Sequence, residues 1–119
     1  MIQIAQNIGA EIFATAGSVA KRELLTEQYG ILVDHIFSTR DLTFVKGVMR
    51  VTKGRDVDVI ANSLEGEALR KTWECIAEFG RFLELGMRDI LANSGLDMAP
   101  FAKSVTFASV NIDVSIETW

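Results

Sequence analysis

Asn62-Ser63-Leu64 and Gly86-Met87 are the stretches of this sequence best placed to hold a ligand, because each closes a run that reads as a buried strand. Ligands of open parallel sheets bind beyond the carboxyl ends of the strands. Asn62 and Ser63 offer an amide and a hydroxyl there, and Gly86 lets the backbone approach a ligand with no side chain in the way. Plain structure accounts for the same residues equally well, Asn62 and Ser63 as turn and cap and Gly86 as a turn glycine. A third stretch, Ala16-Gly17-Ser18, ends an earlier strand and is followed one turn on by Lys21 and Arg22. Cations without a carboxylate suit a phosphate; read as structure alone, Ser18 is a helix N-cap and Lys21 a solvated helix residue. The single cysteine, Cys75, falls on a predicted helix beside its buried face, with no partner in sequence, and reads as an inert thiol. His35, the only histidine, precedes a strand and reads as structural, and no His/Cys/Asp/Glu spacing suggests a metal.

The elements that must position these groups alternate along the chain. Residues 57–61 are apolar and rich in β-branched side chains, as in a strand buried in a parallel sheet. Ser63 then reads as an N-cap. Leu69, Trp73, Ile76 and Ala77 recur at helical spacing, with Glu65, Glu67, Arg70, Lys71, Glu74 and Glu78 on the other face and Gly80 as the stop. Residues 81–86 follow as a second strand, giving a βαβ unit with a right-handed crossover. Upstream, 2–8 reads as a helix ended by Gly9, 11–16 as a strand, and 19–29 as a helix with Leu24 and Leu25 inward, closed by Gly30. Residues 36–38 form a brief strand, and Asp41 caps a helix whose apolar face is Phe44, Val45, Val48 and Met49, ended by Lys53-Gly54. Residues 87–103 are an irregular connection with a short helix around 96–102, and 105–110 a last strand.

This alternation predicts an α/β fold, a Rossmann-like doubly wound parallel sheet. Such a dinucleotide-binding sheet has the order 3-2-1-4-5-6, and its first strand feeds a G-x-G-x-x-G turn. If residues 2–8 are the helix after that turn, the first strand and the Gly-rich turn are absent. The sheet is then incomplete, with two half-sheets, 3-2 and 4-5-6, and unpaired apolar edges.

Composition fits one domain: 119 residues, 49% hydrophobic and 24% charged. A net charge of −4 and a pI near 4.9 argue against a nucleic-acid partner. No apolar run approaches the ~18 residues of a membrane span, and Met1-Ile2-Gln3 lacks the basic start of a signal peptide. One cysteine makes a reducing, cytoplasmic setting the default.

The stretches Gly9-Ala10-Glu11-Ile12-Phe13-Ala14-Thr15, Gly17-Ser18 with Lys21-Arg22, Asp34-His35-Ile36-Phe37-Ser38, Asn62-Ser63-Leu64 with Gly66-Glu67-Ala68-Leu69-Arg70, Phe79-Gly80-Arg81-Phe82 and Gly95-Leu96-Asp97-Met98-Ala99-Pro100-Phe101 carry a resemblance through their order and spacing. Together they resemble the enoyl reductase domain of highly reducing, fungal-type polyketide synthases. The likeness extends more loosely to the animal fatty acid synthase enoyl reductase and the quinone oxidoreductases, all medium-chain dehydrogenase/reductases.

The resemblance implies NADPH-dependent reduction of an α,β-enoyl thioester borne on an acyl carrier protein, with hydride going to the β-carbon and a proton to the α-carbon. It implies the rest of a synthase chain as partner and allows a homodimer. NAD enzymes place an acid at the end of the second strand, where this chain has Ala16-Gly17-Ser18, and the family match assigns Gly17, Ser18 and Lys21 to the 2′-phosphate of NADPH. Thr39 and Arg40 lie near the same end in the family, with a plain surface loop as the alternative. Asn62, Ser63 and Leu64 match the turn that passes the nicotinamide ribose, and Gly86 the approach to the nicotinamide. Many relatives carry a lysine after that glycine, considered a proton donor, where this chain has Met87. Asp113 is the other candidate donor, although several relatives place their acid where Asn111 stands. Asp56, where a glycine is common, and Glu78, where a proline is common, read as tolerated surface changes. The expectation is part of an NADPH-dependent enoyl reductase, inactive alone and without its substrate-binding subdomain. The alternative is a non-catalytic interaction module that folds against a partner chain supplying the missing strand.

Overall fold

Ser18 opens the helix that follows it in the way its sequence demands. Its backbone is extended, with φ −148° and ψ 162°, and its hydroxyl accepts the Lys21 N–H at 3.2 Å, satisfying one of the free donors of the first turn. The structure is a computed structural model and describes residues 2–111. It divides into two units, Met1–Val51 and Thr52–Trp119.

The first unit runs α1 (Ile2–Asn7), β1 (Ala14–Ala16), α2 (Val19–Tyr29), a 3-10 turn at Val33–His35, β2 (Ile36–Ser38) and α3 (Phe44–Val51). Gly30 closes α2 in the left-handed region, at φ 64°, and returns its N–H to the Leu25 carbonyl. β1 and β2 pair in parallel, with Ala14 opposite Ile36 and Ala16 opposite Ser38. Ala16, Leu25, Ile31 and Ile36 form the core, covered by Ile2, Ile12, Ala14 and Tyr29. Gly47 lets α3 lie against the Phe37 ring, whose Cε1 stands 2.5 Å from where a Cβ would sit.

Three expectations change in this unit. Residues 11–13 are not strand, because β2 gives pairing partners only to Ala14, Thr15 and Ala16. Leu24 is 44% exposed, since one residue is a 100° step around a helix and Leu25 takes the inward direction. Met49 is likewise exposed on α3, where Phe44 and Val48 are the buried side chains.

The second unit runs β3 (Val57–Asn62), α4 (Glu67–Trp73), β4 (Ile76–Glu84), α5 (Arg88–Leu91), a 3-10 turn at Ala99–Lys103 and β5 (Thr106–Ser109). Its parallel sheet has the order β3-β4-β5. Trp73 is fully buried beneath it, edge-on to Phe82, Phe101 and Phe107, while Phe82 and Phe107 stack at 5.2 Å. The indole N–H donates to the Asp97 carbonyl at 2.8 Å, fastening the connection before β5 to α4.

The predicted helix through Ala77 is shorter, and the predicted strand from Arg81 longer. α4 begins after Gly66, at φ 62°, rather than at Ser63, and ends at Trp73. Ile76 and Ala77 belong to β4, Ile76 pairing with Val57. A bulge follows: Val59 pairs with Arg81, so residues 77–80 leave the ladder, and Phe79 there has φ 58° and is 77% exposed. Gly80 is thus not a helix stop. It is the position where a Cβ would meet Ile76 Cδ1 at 2.6 Å. Cys75 sits in the turn before β4, not on the helix, and is buried. Asp56 is 8% exposed with φ 68°, so it is no surface change; the left-handed backbone gives a physical reason for a glycine at this position. Glu78 is exposed as expected.

The strands are parallel and alternate with helices throughout, as the Rossmann-like reading requires. Among the described residues they form two sheets rather than one, β1-β2 and β3-β4-β5, as the half-sheets 3-2 and 4-5-6 anticipated. No helix among the described residues is long and apolar enough to cross a membrane.

Candidate functional site

At the carboxyl ends of β3 and β4, a buried carboxylate organises the chain. Asn62 and Glu84 are each 2% exposed. Glu84 Oε2 accepts from Asn62 Nδ2 at 2.9 Å, and Glu84 Oε1 accepts from the Gly86 N–H at 2.9 Å. Asn62 also closes its own turn, its Nδ2 donating to the Leu64 carbonyl at 3.0 Å and its Oδ1 accepting the Leu64 N–H at 3.3 Å. The Leu85 N–H bonds the Asn62 carbonyl at 2.8 Å, carrying the ladder one step past the strands. Ser63 is left exposed at the tip, and Leu64 is half-buried. A Cβ on Gly86 would lie 3.1 Å from Glu84 Oε1 and 3.7 Å from the Ser63 carbonyl, so this strand end is a close-fitting cradle.

A cavity of about 10 Å³ opens between Leu64, Glu84, Gly86 and Asp89, room for about one water. Asp89 Oδ2 accepts the Gly66 N–H at 2.9 Å, which holds the Asp89 carboxyl below its usual range. Arg88 pairs with Glu65 at 2.8 Å on the exposed rim.

The first unit has its own cluster beyond β1 and β2. Arg40 Nε donates to the Gly17 carbonyl at 3.3 Å, and the Arg40 N–H to Ser38 Oγ at 3.1 Å. The Thr39 N–H reaches the Ala16 carbonyl at 3.4 Å, and Thr39 Oγ1 stands 3.1 Å from where a Gly17 Cβ would sit. Gly17, Thr39 and Arg40 therefore meet, with Ser18 and the exposed Lys21 on the adjoining first turn of α2. Arg22 does not join them, because its Nη1 donates to the Ile36 carbonyl at the start of β2, 3.4 Å away.

Glu84 is the residue that the sequence reading missed. Its signal was a lone acid in the apolar run Phe82-Leu83-Glu84-Leu85 before a glycine. Met87 precedes α5, and its thioether has no proton to give. Asp113 lies outside the described residues.

A larger cavity, about 430 Å³, lies at the amino ends of β3 and β4, lined by Arg55, Asp56, Asp58, Glu78, Phe79 and Lys103 among others. Burial raises the Asp56 carboxyl there against the pull of Lys103, whose Nζ donates to the Ile76 carbonyl at 3.0 Å. That is the end of a parallel sheet opposite to its usual ligand site. Burial, then the negative charges of Asp56 and Glu74, push the Cys75 thiol up to about 12. Among the described residues, no three His, Cys, Asp or Glu side chains gather as a metal site.

The sequence matches the model of a family described as zinc-binding dehydrogenase over residues 1–117. Among the described residues, the donors present do not fit a zinc ion. A highly reducing polyketide synthase of Cryptosporiopsis sp. (strain 8999) is 60% identical over 111 residues, 93% of this chain and 5% of its own length. The reducing polyketide synthase FUB1 of Gibberella fujikuroi is 57% identical over 111 residues, again 93% of this chain and 5% of its own. This chain thus spans about a twentieth of these relatives. Among solved structures, the nucleotide-binding subdomain of the enoylreductase domain of PpsC from Mycobacterium tuberculosis superposes with a TM-score of 0.86 at 39% identity, covering 98% of this chain and 64% of that one. The CurK enoyl reductase gives a TM-score of 0.79 at 34% identity, over 99% of this chain and 34% of that one.

Proposed function

Because this chain belongs to the zinc-binding dehydrogenase family, within the medium-chain dehydrogenase/reductases, and is similar to polyketide synthase enoyl reductases, we propose that it is a nucleotide-binding portion of an NADPH-dependent enoyl reductase. Its substrate is an α,β-unsaturated acyl thioester held on an acyl carrier protein, and its partner is the remainder of a synthase. When bound, NADPH supplies the hydride that reduces the β-carbon.

The observation that carries this reading is the cluster at the end of β1. Gly17 packs against Thr39 Oγ1, Arg40 is held there by the Gly17 carbonyl, Lys21 is one turn away, and Ala16-Gly17-Ser18 contains no carboxylate to meet a ribose hydroxyl. Two cations beside the first turn of α2 suit the 2′-phosphate, which NADPH has and NADH lacks. At the ends of β3 and β4, the Asn62 turn and the side-chain-free Gly86 suit the nicotinamide ribose and the flat ring.

The isolated chain binds without turning over. Its sequence contains no G-x-G-x-x-G, and Met87 stands where many members of the family it resembles carry a lysine. Titrating NADPH and NADH while following the melting temperature tests the reading. NADPH should raise it more than NADH, and Arg40→Ala with Lys21→Ala should cancel the difference. Equal shifts with the two coenzymes would remove the 2′-phosphate assignment, and no shift with either would favour the non-catalytic module. Oxidation of NADPH by the chain with a crotonyl thioester at an enzyme-like rate would overturn its predicted inactivity.

A further inference from the structure

Glu84 is a buried acid to which the coenzyme reading above assigns no role. Both its oxygens act as acceptors, from Asn62 Nδ2 and from the Gly86 N–H, the pattern of an ionised carboxylate. Among the described residues, no lysine, arginine or histidine pairs with it. Burying a carboxylate without a cation is costly, and an apolar side chain would avoid that cost at a strand end.

What the carboxylate achieves is geometric first. Asn62 closes the turn after β3, and Gly86 follows β4, so one side chain locks two strand ends together. It also fixes which way the Asn62 amide faces. With Nδ2 turned to Glu84 Oε2, the Asn62 Oδ1 is left to accept the Leu64 N–H. We propose that Glu84 is a positioning residue that holds the Asn62 turn and Gly86 in one arrangement, and that its uncompensated negative charge makes this strand end favour an oxidised, cationic nicotinamide over the reduced, neutral ring. The second half rests on the coenzyme reading above. A negative charge in a poorly screened site lowers the energy of a nearby positive ring, so it also strengthens the reduced ring as a hydride donor.

Glu84→Gln tests both halves. Glutamine keeps the shape but has one acceptor, so it cannot serve Gly86 and Asn62 together without a donor facing a donor. Either the Gly86 N–H loses its acceptor, or Asn62 turns over and releases the Leu64 N–H. Hydrogen exchange at one of these two amides should become roughly tenfold faster. Pairing Glu84→Gln with Asn62→Asp restores an acceptor opposite the glutamine N–H and should return that protection. Unchanged exchange at both amides in Glu84→Gln overturns the clamp, whether or not any nucleotide binds. Separate titrations of NADP+ and NADPH on the full chain read the charge. The ratio of the NADPH to the NADP+ dissociation constant should fall roughly threefold or more in Glu84→Gln. An unchanged ratio overturns the charge preference while leaving the coenzyme site standing. A wild-type chain that binds neither coenzyme overturns the site reading and the charge preference with it, and leaves the clamp to be decided by exchange at the Gly86 and Leu64 amides.

Discussion

Trp73 meets Phe82 edge-on, with ring centroids 5.3 Å apart and planes at 89°, and the same indole donates to the Asp97 carbonyl at 2.8 Å. One side chain thus serves as the floor of the β3-β4-β5 sheet and as the anchor of the connection leading to β5. Trp73→Ala should lose about 3–5 kcal/mol of unfolding free energy. Trp73→Phe should lose about 1–3 kcal/mol, mostly from the abandoned hydrogen bond and residual space. Urea titrations followed by circular dichroism would measure both. A Trp73→Phe chain as unstable as Trp73→Ala would mean that the Asp97 tie outweighs the ring packing.

Two carboxyls of the second unit should give opposite pH responses. The Gly66 N–H holds the folded Asp89 carboxyl below its unfolded value, so this group adds stability above the unfolded pKa of about 4 and loses it as pH falls through the folded pKa. Asp89→Asn should flatten that part of the acid limb. Burial raises Asp56, so its contribution is complete below the unfolded pKa and declines as pH rises through the folded one. Asp56→Asn, which tolerates the left-handed backbone, should therefore stabilise the chain at neutral pH and not at pH 3. Denaturation midpoints across the acid range would separate the two.

Gly80→Ala should destabilise by about 1–3 kcal/mol, because the new methyl meets Ile76 Cδ1 at 2.6 Å and the Ala77 carbonyl at 2.8 Å. The carbonyl belongs to the backbone and cannot swing aside. A thermal melt of Gly80→Ala that matched the parent would show that the bulge can be reshaped freely.

Cys75 should resist thiol reagents. It is buried, hydrogen-bonded to the Lys71 carbonyl at 3.6 Å, and titrates near 12, so little thiolate exists at neutral or mildly alkaline pH. Reaction with a disulfide reagent should appear only as denaturant unfolds the chain. Prompt labelling of the folded chain would contradict the burial.

Local signals were the legible part of this sequence. Ser18 and Gly30 mark α2 at both ends, and Ile36–Ser38 stands where a brief strand is expected. Where pairing begins and ends along each strand was not legible. Residues 11–13 have strand-like composition but no partner, and Leu69, Trp73, Ile76 and Ala77 keep helical spacing across a boundary where helix gives way to strand. Both sides of that boundary are buried, so apolar periodicity cannot mark it. At the candidate site, Gly17 with Thr39 and Arg40, and Asn62 with Gly86, were each foreseen as strand ends. The carboxylate that joins Asn62 to Gly86 was not, because a single glutamate in a strand carries no sign of what it will touch.

The bulge at residues 77–80 has a mechanical consequence. From Val57 opposite Ile76 to Asn62 opposite Glu84, β4 uses three residues more than β3, and the surplus is taken up near the amino end. Beyond Arg81 the two strands advance in step. Length differences introduced at the bulge are therefore absorbed as slack before they reach Asn62 and Glu84, so that end of the unit can keep its spacing while the opposite rim changes.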